Sequence, residues 1–152
     1  MSIIWNFSQK NGIGAVLSIE DVKVEKNKFQ NPSFSDMIEF KLDGGYLEIG
    51  KVKGAIRYGI ITLMVDEDQR GQGIATALLK RALNETKGEL SGMASNDIAV
   101  SLNYKLGMRA FDDNGKELSL EQTKKQRAEN SWESIRMILP ESKQGDNYKA
   151  FK

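Results

Sequence analysis

From Gly59 to Val65 the chain reads GIITLMV, and directly behind this run stand DEDQRGQG and the pattern IATALLKRAL. The run is too short and too β-branched for a buried helix, so it suits a central strand. After the loop, Ile74, Ala75, Leu78, Leu79, Ala82 and Leu83 recur at helical spacing, with Lys80, Arg81 and Glu85 on the other face and Gly88 as the stop. A strand joined through a short glycine loop to an amphipathic helix commits the domain to a sheet with helices packed on it.

The flanking sequence extends this sheet. Met37 to Leu42 alternates, with Ile38, Phe40 and Leu42 on one face, and Asp43-Gly44-Gly45 supplies a hairpin turn into a returning strand from Tyr46 to Val52. A short strand is predicted at Glu89 to Met93. Ser95-Asn96 then opens a helix whose apolar stripe is Ile98, Ala99, Leu102 and Leu106, stopped by Gly107. Met108 to Phe111 suits a strand, Ser119 to Gln122 fits a capping box before a basic helix, and SIRMIL before Pro140 reads as a last strand. GIGAVLSI suits a strand near the start, whereas Glu20 to Ser35 carries no helical periodicity. The fold class is a mixed α/β (α+β) domain around one sheet. It is expected to span residues 1–140, followed by a polar segment, 141–152, that reads as a tail free to move.

Composition narrows the chemistry. The 152 residues hold 22 basic and 21 acidic side chains, a net charge of +1, so nucleic acid is not indicated and any anion must be recognised locally. The chain has no cysteine and no histidine. A disulfide framework, a thiolate zinc site, a cysteine nucleophile and a Ser-His-Asp relay are excluded, and no metal is called for. Carboxylates, tyrosine, lysine or water remain for proton transfer. MSIIWNFSQKNG lacks a basic leader, and no apolar run approaches the roughly 20 residues of a membrane span. A cytoplasmic protein without a membrane role is the expectation. Trp5 and Trp132 read as core or sheet-edge aromatics.

The loop itself has two readings. The first amides of a helix lack partners within it and carry a partial charge of about +0.5, which stabilises phosphate oxygens. Glycines at 71 and 73 remove the Cβ atoms that would keep a pyrophosphate from those amides, and Arg70 adds a cation with a fork of donors. A plain strand-to-helix turn uses the same glycines. A Walker loop would need Gly-Lys-Ser/Thr at its end, where Gly73 is followed by Ile74 and Ala75; a dinucleotide fingerprint would need a third glycine where Thr76 stands. Asp66, Glu67 and Asp68 beside the loop are solvated charges rather than catalysts, since carboxylates facing a pyrophosphate would repel it.

Arg70, Gly71, Gln72, Gly73, Ile74 and Ala75 form the pattern Arg-x-x-Gly-x-Gly/Ala, which resembles the coenzyme A loop of the GNAT superfamily, the general N-acetyltransferases. Further on, NDIAVSLNYKLGM is similar to that family's Asn-x-x-Ala-x-x-Leu-Tyr-x-Lys-Leu-Gly-Phe, matching at Asn96, Ala99, Leu102, Lys105, Leu106 and Gly107. The resemblance covers residues 57 to 111. It implies a twisted, mostly antiparallel mixed sheet, splayed between its fourth and fifth strands, with acetyl-CoA in the gap as cosubstrate. The backbone of Leu63, Met64 and Val65 would then hold the pantetheine, Arg70 to Ala75 with Thr76 the pyrophosphate, and Asn96 would lie near the cofactor.

The same resemblance implies direct transfer of an acetyl group to an acceptor amine, a small molecule or a protein or peptide, by a protein for which a homodimer is an allowed assembly. Freeing the lone pair of a lysine-like amine costs roughly 4 to 5 kcal/mol at pH 7. Glu48 and Glu89 are the nearest candidates by sequence position for the base. Asn103 stands where the family commonly has a tyrosine that protonates the departing thiolate. Tyr104 is adjacent, but one residue turns about 100° around a helix. The Asn103 amide therefore either hydrogen-bonds the pantetheine or thioester sulfur or makes a structural hydrogen bond. A module that binds acyl-CoA as a sensor without efficient catalysis is the alternative function, and a phosphate-binding domain for another nucleotide is the third.

Overall fold

The computed structural model describes residues 17–27, 31–129 and 134–151. Trp5, Trp132 and most of the strand expected at GIGAVLSI lie outside them; the end of that segment forms a 3-10 turn, Ile19–Asp21, capped by Ser18. Six strands form one sheet in chain order: β1 (Lys23–Lys26), β2 (Phe34–Leu42), β3 (Gly45–Val52), β4 (Tyr58–Val65), β5 (Leu90–Ala94) and β6 (Ile135–Ile138). Every neighbouring pair is antiparallel except β4 with β5. Helix α1 (Ile74–Glu85) joins β4 to β5, while α2 (Asp97–Lys105) and α3 (Leu120–Glu129) lie between β5 and β6. This is the mixed α/β sheet fold expected from the sequence. Among the described residues no helix is long and apolar enough to cross a membrane.

Alternation sorts the sheet into two faces. Ile38 opposes Ile49 and Phe40 opposes Leu47, and these four are buried beneath α1, which contributes Ile74, Ala77, Leu78, Leu79, Ala82 and Leu83. The other face carries Glu39 opposite Glu48 and Lys41 opposite Tyr46. Register between β3 and β4 shifts after Glu48, which pairs with Thr62, to Ile49, which pairs with Ile60. Ile61 is thus the extra residue of a β-bulge, a device that bends and twists its strand.

The structure departs from expectation in four places. The β4 run is central in strand order, yet Ile61, Leu63 and Met64 are exposed, because β5 accompanies β4 only at its beginning. In α2 the inward positions are Val100 and Asn103, and Ile98, placed in the apolar stripe above, is 81% exposed. Met108 to Phe111 makes isolated bridges, Arg109 with Ile138 and Phe111 with Glu117, rather than a strand. The segment after Pro140 does not trail away. Tyr148 and Phe151 pack on the core, and Asn84 Oδ1 accepts hydrogen bonds from the Tyr148 hydroxyl (3.2 Å) and the Phe151 N–H (3.0 Å). The capping box forms as read, Ser119 and Gln122 exchanging hydrogen bonds of 2.9 and 3.1 Å.

Two glycines let helices close onto strands. A Cβ on Gly45 would collide with Ile74 Cγ2 and lie 3.0 Å from Leu78 Cδ1; one on Gly92 would lie 2.9 Å from Asn103 Nδ2. Gly45→Ala should therefore cost about 1–3 kcal/mol through overpacking at the start of α1. The expected result is a lower urea midpoint with an unchanged slope.

Candidate active site

Parallel pairing between β4 and β5 consists of Tyr58 with Leu90 and Gly59 with Ser91, helped by Tyr58 N–H donating to the Glu89 carbonyl at 2.9 Å. Beyond these residues the strands part, and the β4 edge from Ile60 to Val65 faces a gap. The strands are parallel, so their carboxyl ends open at the same end of the sheet, and each feeds a helix whose N-terminus points back at the gap. Crevices of this kind at the carboxyl ends of parallel strands bind ligands in open α/β sheets.

On the β4 side, the chain turns through a 3-10 segment, Glu67–Gln69, into the glycine loop. Gly71 and Gly73 adopt φ of +85° and +82°, the left-handed region where a side chain is strained. A Cβ on either would meet nothing within 4 Å, so the space before the loop is open. The first bond of α1 runs from Ala77 N–H to the Gly73 carbonyl at 2.9 Å, and among the described residues the amides of Gly71, Gln72, Gly73, Ile74, Ala75 and Thr76 have no acceptor. Arg70 is exposed beside them, as are Asp66, Glu67 and Asp68. Leu63, Met64 and Val65 pair with Leu47, Tyr46 and Gly45 along one edge and border the gap along the other.

On the β5 side, Asn96 caps α2, its Oδ1 accepting the Ala99 N–H at 2.9 Å. Arg127 of α3 reinforces this end by donating to the Ser95 carbonyl at 3.3 Å and pairing with Asp97 at 3.5 Å, so the basic helix supplies a tether. Asn103 is 5% exposed and lies over Gly92, and its amide makes no hydrogen bond among the described residues. Tyr104 turns elsewhere, with the Arg109 guanidinium stacked 3.6 Å from its ring centroid.

The carboxylates distribute over the sheet face opposite α1. Glu48 is half-buried in the middle of β3, whereas Glu89 immediately precedes β5 at the paired end of the gap. Sequence reasoning missed the companions of Glu48. Glu39 is 5% exposed, its Oε2 accepts the Tyr46 hydroxyl at 2.8 Å, and its Oε1 accepts no hydrogen bond, with Lys41 Nζ 4.0 Å away. Burial pushes the Tyr46 phenol well up, helped by the hydrogen bond to Glu39 and by the Glu48 and Glu39 charges. Burial likewise raises Tyr58, with the Asp36 carboxylate adding to it through charge and a 3.4 Å hydrogen bond. Where β4 and β5 meet, the same face holds a cavity of about 570 Å³ that includes Gly59, Ile61, Ser91 and Arg136 in its lining. Among the described residues no group of histidine, cysteine, aspartate and glutamate side chains is arranged to hold a metal ion.

Residues 37–108 match the model of the acetyltransferase (GNAT) family. Among solved structures, the chain is similar to an IAA acetyltransferase from Bacillus cereus ATCC 14579, with 17% identity, 78% of this chain and 98% of that chain covered, and a TM-score of 0.50. It is also similar to the ribosomal-protein-S18-alanine N-acetyltransferase from Escherichia coli, with 22% identity, 78% and 76% coverage, and a TM-score of 0.47. The PaiA N-acetyltransferase from Thermoplasma acidophilum, solved in complex with coenzyme A, is similar over 68% of this chain and 60% of that chain, at 17% identity and a TM-score of 0.44. The sequence matches no curated protein.

The Tyr46 shift has a consequence for stability. An unfolded chain ionises the phenol near its ordinary value of 10.0, whereas the folded chain keeps it neutral to higher pH. Stability from this residue is complete below about pH 10 and is lost as pH rises above it. Tyr46→Phe should therefore lose less stability than the parent between about pH 10 and 12, measured by urea unfolding across that range. Tyr58 and Tyr148, which burial also raises, should leave part of the slope in place.

Proposed function

We propose that the chain is an acetyl-CoA-dependent N-acetyltransferase that moves an acetyl group directly to an acceptor amine within a ternary complex, a reading supported by the match of residues 37–108 to the acetyltransferase (GNAT) family model. The observation that carries this reading is the run of amides without acceptors from Gly71 to Thr76, set at the mouth of the β4–β5 gap before open space. Acetyl-CoA would supply an acetyl group activated as a thioester. The loop amides, the start of the α1 dipole and Arg70 would hold its pyrophosphate. The edge of Leu63, Met64 and Val65 offers backbone donors and acceptors to an amide-bearing arm, as an added strand would. Asn96, at the opposite lip, has its Oδ1 engaged in capping and its NH2 group available.

The remaining roles follow from position. The acceptor arrives as an ammonium and must lose a proton before its lone pair can attack. Glu48 shares the face of the cavity beside the gap and is the better placed base; Glu89 lies at the closed end and is the second candidate. The Asn103 amide satisfies its hydrogen-bonding capacity on the pantetheine or the thioester sulfur. No phenol occupies its place, because Tyr104 is stacked under Arg109, which favours a second reading: an acyl-CoA-binding module with weak catalysis. Thermal shift with acetyl-CoA, paired with thiol release over a panel of amines, separates the two readings. A shift with release supports the enzyme, a shift without release supports the module, and no shift removes both.

At a concentration a hundred times Kd, acetyl-CoA should add about 2.7 kcal/mol, a rise in Tm of roughly 5–10 °C. Gly73→Glu should abolish that rise by putting bulk and negative charge against the phosphates. Gly73→Ala shares the backbone strain without the charge and should retain part of the rise, so an undiminished shift in folded Gly73→Glu would remove the loop from the site.

Asn103→Leu separates the two roles of that amide. With no hydrogen bond to lose among the described residues, the free variant should be as stable as the parent to within about 1 kcal/mol. Thiol release should slow by about tenfold or more, the loss of a single charge-stabilising hydrogen bond. A less stable variant with unchanged turnover would make the residue structural.

A further inference from the structure

The cavity on the face opposite α1 is shaped for something more specific than an amine. Its floor includes Gly59, where a Cβ would meet nothing within 4 Å, and Gly59 belongs to the last β4–β5 pair before the strands part. Its apolar walls include Phe34, Ile56 and Ile61. Two arginines complete the lining. Arg57 donates Nη2 to Gln144 Oε1 at 3.3 Å, but its Nε is buried without a hydrogen-bond partner. Arg136 donates Nε to Ser91 Oγ at 3.0 Å. Among the described residues neither guanidinium has a carboxylate partner, although the chain is nearly neutral overall and pairs Arg81, Arg109 and Arg127 with acids.

Register places these groups in order along the sheet. Gly50 lies opposite Gly59, so Val52 is level with Arg57, and Glu48 lies two residues from Gly50 in the other direction on the same face. At about 3.3 Å per residue, Glu48 and Arg57 are roughly 13 Å apart along the strands. Glu48, outside the lining, stands at one end of this row and Arg57 at the other, while Arg136, bonded to Ser91 level with Gly59, stands beside the apolar middle. A volume of about 570 Å³ is in the range of small-molecule pockets.

Resting on the acetyltransferase reading, we propose that this cavity is the acceptor subsite and that the acceptor is an elongated amino acid: an amine directed at Glu48, an apolar body over Gly59, and a carboxylate held by Arg57 and Arg136. A planar guanidinium presents parallel donors that match a carboxylate. The ammonium gives one proton to Glu48, the freed nitrogen bonds to the acetyl carbon as the thioester C–S bond breaks, and the second proton lost by that nitrogen passes to the sulfur, so coenzyme A leaves as the thiol.

The test is a matched acceptor series: ω-aminohexanoate, its amide, hexylamine, diaminohexane and aminohexyl phosphate, each assayed by thiol release. The expected kcat/KM for aminohexanoate exceeds those of the amide, hexylamine and the diamine by about tenfold or more, a typical worth for a charge-assisted contact. Arg57→Gln and Arg136→Gln should shrink that ratio towards one while acetyl-CoA still raises Tm. Gly59→Leu should raise the KM for aminohexanoate by filling the floor. A flat series, a preference for the diamine, or ratios unmoved by both arginine variants would overturn the proposal, and a preference for aminohexyl phosphate would overturn the carboxylate assignment. Calorimetric binding of the same compounds to the coenzyme A-loaded protein reads the cavity independently of turnover. If no amine releases thiol, the catalytic reading fails, while selective binding of aminohexanoate that both variants weaken still supports the subsite; absent or unselective binding overturns it.

Discussion

The brevity of the parallel contact between β4 and β5 governs the rest of this molecule. A sheet that stayed paired would satisfy the backbone of both strands and bury Leu63 and Met64 between neighbours. Here pairing ends at Gly59 and Ser91. Two features flank the point where the strands part. The bulge at Ile61 bends β4, and α2 lies over β5 with Asn103 pressed onto Gly92. The open edge leaves peptide groups that must be met by water or by a ligand, since an unpaired buried group costs about 1–3 kcal/mol. On the proposed reading, an apolar strand kept half-exposed is a stability cost accepted where a ligand binds.

Opening a gap is useful only if its lips are fixed. Gly45 lets Ile74 and Leu78 close onto the β2–β3 hairpin, which fixes the first turn of α1 and with it the glycine loop. At the other end of α1, Asn84 is bound to Tyr148 and Phe151, so the segment after Pro140 anchors the helix that presents the loop. The second lip is held by Asn96 capping and by Arg127 reaching across from α3. Both helix N-termini are therefore positioned by contacts outside the gap, and among the described residues the loop amides keep no protein acceptor.

Much of this was legible in the sequence because it is local. The Asp43-Gly44 turn pairs Leu42 with Gly45, which fixes Glu39 opposite Glu48, so the acidic pair was within reach of a register argument even though only Glu48 was singled out. The glycine loop and Asn96 cap were readable for the same reason. What the sequence hid is tertiary. Apolarity drew Ile98 into the predicted α2 stripe, whereas packing over Gly92 turned Val100 and Asn103 inward. The exposure of β4 depends on where β5 leaves it, and the joint placement of Arg57 and Arg136 depends on strands distant in the chain. Neither leaves a periodic signal.

On the proposed reading, the two faces of the sheet also explain why direct transfer suits this chain. The loop amides and Asn103 belong to the helix side, and Glu48 and the arginine-lined cavity belong to the other, with the gap as the passage between them. A donor held on one side and an acceptor on the other can meet only at the passage, near Gly59 and the Ile61 bulge. The chain has no cysteine to carry an acetyl group between separate binding events and no histidine to activate a hydroxyl for that purpose. On the proposed reading, simultaneous occupancy takes the place of a covalent carrier. Its catalytic contribution is chiefly positional, the conversion of a bimolecular encounter into an intramolecular one, which is worth up to roughly 7–11 kcal/mol when the reacting atoms are well aligned. That places the burden on rigidity along the gap, from the bulge and the Gly92 contact near its closed end to the helix caps at its mouth.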